Sequence, residues 1–125
     1  MTIRTHICTV TTTGADGSAS GNAQTGQPVC GLLIAVYAGF ATTHANTDTT
    51  ITTPNAPIRT ILTLTNVNTA GWYQPRIALH DNAGAAINYA ATFPIYGEFP
   101  IDDYIKVALA QATAGTHTFY FLVRC

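Results

Sequence analysis

Tyr104-Ile105-Lys106-Val107-Ala108-Leu109-Ala110-Gln111 and Thr116-His117-Thr118-Phe119-Tyr120-Phe121-Leu122-Val123-Arg124, joined through Thr113-Ala114-Gly115, decide the fold class of this chain. In the first stretch Ile105, Val107 and Leu109 alternate with Lys106, Ala108 and Ala110, and in the second Phe119, Phe121 and Val123 share one face. Successive side chains of extended backbone point to opposite sides, so a period of two marks a strand with one buried face. The two stretches are expected to pair as an antiparallel hairpin turned at Thr113-Ala114-Gly115. Residues 101 to 112 also admit a helix, because Ala, Leu and Gln favour one.

The remaining chain reads the same way, working back toward the N-terminus. Phe93-Pro94-Ile95-Tyr96-Gly97-Glu98-Phe99-Pro100-Ile101 is an extended, proline-marked connection whose aromatics pack sideways. Asp81-Asn82-Ala83-Gly84 is a turn before a short segment around Ile87 to Ala90. Trp72 to Leu79 carries the only tryptophan, and Pro75 marks an edge or bulge. Ile58 to Asn66 is expected to set Ile58, Leu62 and Leu64 on one face against Arg59, Ile61, Thr63 and Thr65. Thr47 to Thr53 alternates around Ile51, and Val29 to Ala38 is apolar on both faces, as in the middle of a sandwich.

Ile3, Thr5, Ile7 and Thr9 alternate in a way that suits a first strand or an extended arm. Residues 12 to 28 hold four glycines and almost no large apolar side chain, which reads as a long loop or linker. The expected organisation is an N-terminal arm and Gly/Ser-rich loop over 1–28 and a β-sandwich domain over 29–125. With seven to nine short strands anticipated, the fold class is all-β: a single-domain antiparallel β-sandwich or flattened barrel with an extended N-terminal arm.

Charge is scarce. The 125 residues include only five Lys/Arg and six Asp/Glu, against 22 Thr and 19 Ala. Soluble domains average about a quarter charged residues. A surface of Thr, Ser, Asn, Gln and Ala has little repulsion to hold copies apart and little side-chain entropy to lose on contact. It suits a protein packed against neighbours, and it is also ordinary for a secreted β-domain. The basic residues Arg4, Arg59, Arg76, Lys106 and Arg124 are scattered, which argues against nucleic acid as a partner.

The longest apolar run, Leu32 to Phe40, is short of a membrane span, so no membrane is expected as a partner. The Thr2-Ile3-Arg4-Thr5-His6 opening lacks an apolar signal core, so synthesis and retention in the cytoplasm are expected. Cys8, Cys30 and Cys125 have no metal-like spacing. A Cys8–Cys30 bridge stays open if the first strands are neighbours, and Cys125 is the cysteine expected to be exposed.

No constellation of catalytic type emerges, so the chain is expected not to be an enzyme and to need no cofactor or metal. His6, His44, His80 and His117 are far apart, and the adjacent His80 and Asp81 would point to opposite faces of a strand. Asp102-Asp103 is the one carboxylate pair. A calcium site shared with Glu98 is one reading, and turn chemistry at the head of a strand is the simpler one. Trp72, Tyr73, Tyr89, Tyr96 and Phe99 could make an aromatic platform for a sugar, or serve as core and interface anchors.

Four stretches carry a resemblance. Cys30-Gly31-Leu32-Leu33-Ile34-Ala35-Val36-Tyr37 is followed by Asp48-Thr49-Thr50-Ile51-Thr52 and Trp72-Tyr73-Gln74-Pro75-Arg76. The fourth is Pro100-Ile101-Asp102-Asp103-Tyr104-Ile105-Lys106-Val107, with Gly115-Thr116-His117-Thr118-Phe119-Tyr120 after it. From Val29 to Phe121 the chain resembles small structural proteins of tailed bacteriophages, auxiliary head components of the decoration or cement type.

The resemblance implies a non-enzymatic virion protein, made in the bacterial host cytoplasm, that stabilises an assembled head. Its partners would be the major capsid protein and copies of itself, as a homotrimer in one form. The expected contact residues are Ile3, Ile7 and Val10, added to a neighbour's sheet edge, together with Trp72, Tyr73 and Arg76. The alternative is a carbohydrate- or receptor-binding sandwich displayed on the particle or exported.

Overall fold

The computed structural model describes residues 2–90 and 93–125. Its strands, in chain order, are β1 (Ile3–Thr12), β2 (Ala19–Gln24), β3 (Val29–Gly39), β4 (Asp48–Thr53), β5 (Arg59–Leu64) and β6 (Gly71–Tyr73). They continue as β7 (Arg76–Ala78), β8 (Asn88–Ala90), β9 (Phe93–Pro94), β10 (Tyr96–Asp103), β11 (Lys106–Ala112) and β12 (Gly115–Arg124). One sheet has the order β1-β12-β3-β10-β7, with β6 also on β3, and a second has the order β2-β11-β4-β5. The small β8-β9 pair stands beside them. All pairings are antiparallel, as expected of a β-sandwich.

The core lies between the sheets. Val10, Leu33, Val36, Phe119, Phe121 and Val123 come from one, and Ile51, Val107 and Leu109 from the other. The burial pattern of β12 alternates strictly from Thr116 to Arg124, so the period of two identified its buried face correctly. Residues 106–112 are strand, and the helical option for 101–112 falls away.

The expected hairpin does not form. β11 pairs with β2 and β4, whereas β12 pairs with β1 and β3. The chain crosses from one sheet to the other at Thr113-Ala114, after a bulge between Leu109 and Ala112 and a positive φ of 53° at Gln111. The Thr12 hydroxyl donates to the Thr113 carbonyl at 2.7 Å, and the Thr113 N–H donates to the Thr43 hydroxyl at 3.0 Å, pinning the crossing. Alternation says which face of a strand is buried. It does not say whether the next strand lies beside it or across from it.

The N-terminal residues also differ from the arm that was expected. β1 pairs with β12 without interruption from Ile3↔Arg124 to Thr12↔Gly115, and Cys8 and Val10 are buried. Of the two readings of this alternation, the structure has the first strand of the chain's own sheet. The stretch taken for a linker contains β2. A Cβ at Gly21 would lie 2.2 Å from the Thr11 carbonyl oxygen, so the glycine permits β2 to pass close to β1. Glycine here serves close approach instead of mobility.

Two local details complete the comparison. In β5 a register shift between Ile51 and Thr52 of its partner turns Ile61 inward, while Ile58 stays exposed. The expected faces of that strand are therefore exchanged at the bulge. Pro75 separates β6 from β7, as its missing N–H requires.

Thr49 is fully buried on β4, and its hydroxyl has no hydrogen-bond partner among the described residues. An unsatisfied buried hydroxyl costs about 1–3 kcal/mol. Thr49→Val keeps the shape and removes the cost, so it is expected to raise stability by about 1 kcal/mol in urea unfolding. An unchanged or lower midpoint would show that the hydroxyl is satisfied.

Candidate functional site

The outer face of the larger sheet carries a row of apolar side chains. Residues facing away from the core alternate with the buried ones, and register aligns four of them across four strands. Ile7 of β1 sits opposite Tyr120 of β12, Tyr120 opposite Tyr37 of β3, and Tyr37 opposite Trp72 of β6. Ile7 is 54% exposed, Tyr120 37% and Trp72 57%. The Tyr37 ring lies 5.1 Å from Trp72 and 6.1 Å from Tyr120, both tilted. Beside the row, Thr5, Tyr37, Trp72, Tyr120 and Leu122 line a shallow cleft of about 320 Å³.

Of the residues expected to make contacts, the structure brings Ile7 and Trp72 into this row. Ile3 is exposed farther along β1, opposite Arg124. Val10 faces the core and is fully buried, so it has no surface to offer a neighbour. Tyr73 packs against the core. Arg76 is exposed, but its guanidinium donates to the carbonyls of Ile34 and Pro75 at 3.0 and 2.8 Å, tying β7 to the bulged part of β3. Sequence reasoning missed Tyr37, Tyr120 and Leu122. Their outward phase was readable from the alternation, but the cross-strand register that joins them was not.

A second apolar surface lies on the excursion from Arg76 to Gly97. None of its described residues is buried, yet it carries Ile77, Leu79, Tyr89, Phe93, Ile95 and Tyr96 on the surface. Tyr89 and Phe93 stack at 5.5 Å with their planes 20° apart. Backbone bonds from Leu79 to Ile95, Ile87 to Leu79 and Ile95 to Ile87 hold the described residues of the excursion together. Asp81 accepts from the N–H groups of Ala83 and Ala85, both at 2.9 Å, making the expected turn.

Several charged groups are engaged in holding the fold. Glu98 pairs with Arg124, and Asp102 lies 3.5 Å from Arg59. Asp103 accepts from the Asn55 N–H, the Asn55 side chain and the Tyr104 N–H. Shielding from water would raise its carboxyl, but these bonds and Arg59 outweigh it and hold it below the usual range. A larger cleft of about 620 Å³ lies over this corner, lined by Asn55, Pro57, Arg59, Asp102 and Asp103 among others. Its polar groups are bonded to one another. Among the described residues no three His, Cys, Asp or Glu side chains converge as metal ligands. Cys8 is a buried free thiol, and Cys30 and Cys125 are exposed and free.

His117 is fully buried. The Ala41 N–H donates to its Nδ1 at 3.1 Å, so that nitrogen holds no proton. Nε2 faces the Thr12 hydroxyl at 3.4 Å. Burial pushes the imidazole below its ordinary value of 6.5, outweighing the Thr113 backbone, which favours the charged ring. The unfolded chain then binds the proton more readily than the folded one. The stabilisation is complete above the unfolded value of 6.5 and is lost as pH falls below it. Thermal midpoints are expected to drop from about pH 7 to about pH 5, with a shallower drop in His117→Gln. Identical slopes would exclude His117 as the source.

No family model matches the chain, and no curated protein matches it.

Proposed function

We propose that this chain is a non-enzymatic structural subunit of a bacteriophage virion, a decoration or cement protein that seats on the outside of the assembled head. Its partners in this reading are the major capsid protein and copies of itself. The observation that carries the reading is the Ile7–Tyr120–Tyr37–Trp72 row, a continuous apolar strip on a solvent-facing sheet. Extended exposed apolar patches mark contact surfaces, and Trp and Tyr dominate the energetics of such contacts. The bare Arg76–Gly97 excursion supports the same reading, because its apolar side chains gain cover only from a neighbour.

Many identical contacts of modest strength, repeated over a shell, would sum through multivalency to resist the outward pressure of a filled head. A surface poor in ions docks without the desolvation that buried charges demand. The sugar-binding alternative receives less support. Carbohydrate sites combine a stacking ring with convergent polar groups, and the cleft beside Trp72 offers only Thr5 and the tyrosine hydroxyls. Gradient sedimentation of particles from the producing host, followed by mass spectrometry, tests the proposal. The chain should travel with heads in copy number comparable to the shell protein, and its absence from particles would refute the reading.

A further inference from the structure

We propose that the free edge of β1 pairs with β1 of a second copy, joining the two larger sheets across a twofold axis at Thr5. The claim concerns the chain's own association and does not depend on a capsid partner. The Thr2 N–H donates to the Cys125 carbonyl and the Cys125 N–H to the Thr2 carbonyl, at 3.2 and 3.0 Å. In an antiparallel ladder such mutually bonded pairs recur every second residue. Given the unbroken register of β1 on β12, Arg4, His6, Cys8, Val10 and Thr12 direct their backbone groups at β12. Ile3, Thr5, Ile7 and Thr9 direct theirs away from it, where among the described residues β1 pairs with no other strand.

Natural edges are protected by proline, lysine, bulges or a covering loop. Among the described residues nothing of this kind protects Ile3 to Thr9, and its single charge is Arg4. Toward its C-terminal end the edge is closed, because Thr13 bridges Ser20. The exposed half is self-complementary when Thr5 lies on the axis. Ile3 then faces the partner's Ile7, Ile7 faces the partner's Ile3, and each such pair exchanges both backbone hydrogen bonds. Arg4 faces the partner's His6 in this register, whereas centring the axis on Arg4 would oppose two guanidinium groups. A net charge of -1 per chain adds almost no repulsion between the copies. The pairing also carries the apolar row onward, from Ile7 to the partner's Ile3.

The decisive variant is Thr5→Pro. Its N–H points away from β12, so the substitution removes no bond within the chain while blocking the shared edge. Sedimentation equilibrium of the full chain should give a dimer for the wild type and a monomer for Thr5→Pro with unchanged circular dichroism. If Thr5→Pro misfolds, hydrogen exchange on the wild type decides. The amides of Ile3, Thr5 and Ile7 should gain protection as concentration rises, while those of Arg4 and His6 stay protected throughout. A wild-type monomer at millimolar concentration, a trimer, or a dimer whose Ile3, Thr5 and Ile7 amides exchange freely would overturn the proposal.

Discussion

Gly31→Ala is expected to cost about 3 kcal/mol or more, a large share of the roughly 5–15 kcal/mol by which domains are stable. Two effects combine at this position. The backbone φ is 143°, a region that L side chains rarely adopt. A Cβ would also lie 2.5 Å from the Arg124 carbonyl oxygen and 2.9 Å from a Val123 methyl group. Neither neighbour is free to give way. Arg124 sits in the β12 ladder opposite Leu32, and Val123 is fully buried in the core. Gly31 itself pairs with Ile101, so the strand cannot shift without breaking β3 from β10. Gly71→Ala is the matched control, since nothing lies within 4 Å of its Cβ and its φ is ordinary. Thermal melts should separate the two sharply, with Gly71→Ala within about 0.5 kcal/mol of wild type. Similar melts for both would show that β3 and β12 are not packed this closely.

Trp72→Ala is expected to be the most damaging surface change for binding and a mild one for folding. The side chain is more than half exposed, so its removal mainly loses the packing on Tyr37, worth about 1 kcal/mol. In a docked assembly the same side chain would be buried between sheets. Truncating a tryptophan at the centre of an interface commonly costs about 2 kcal/mol or more, roughly thirtyfold in affinity. The expected result is a folded protein whose cosedimentation with head shells is largely lost. Tyr89→Ala on the separate excursion should weaken binding as well if both surfaces are covered. Retention of full shell binding by Trp72→Ala would remove the row from the interface.

How much of this was legible beforehand depends on what each signal encodes. Alternation located β12 and β11 and identified their buried faces, because side-chain phase is a local property of extended backbone. It failed on their partnership, since Thr113-Ala114 carries the chain between sheets where a hairpin was expected. The glycines between residues 12 and 28 suggested mobility. In β2 the glycine at position 21 instead provides clearance beneath Thr11, a reason visible only once two strands are brought together. The β5 bulge reversed Ile61 and Leu62 for a similar reason, because a bulge is a property of a pair of strands. Trp72 and Ile7, expected from the sequence to make contacts, are exposed. That Tyr37 and Tyr120 complete a row with them follows from register, which is a long-range property.

Trp72, the chain's only tryptophan, reports directly on whether the outer row is covered in an assembly. Its emission should be recorded while the chain is titrated with head shells lacking it, and separately with soluble glycans. A saturable blue shift is expected with shells and none with glycans, as the half-exposed indole passes out of water. Emission that stays unchanged with shells, or shifts with a glycan instead, would contradict it.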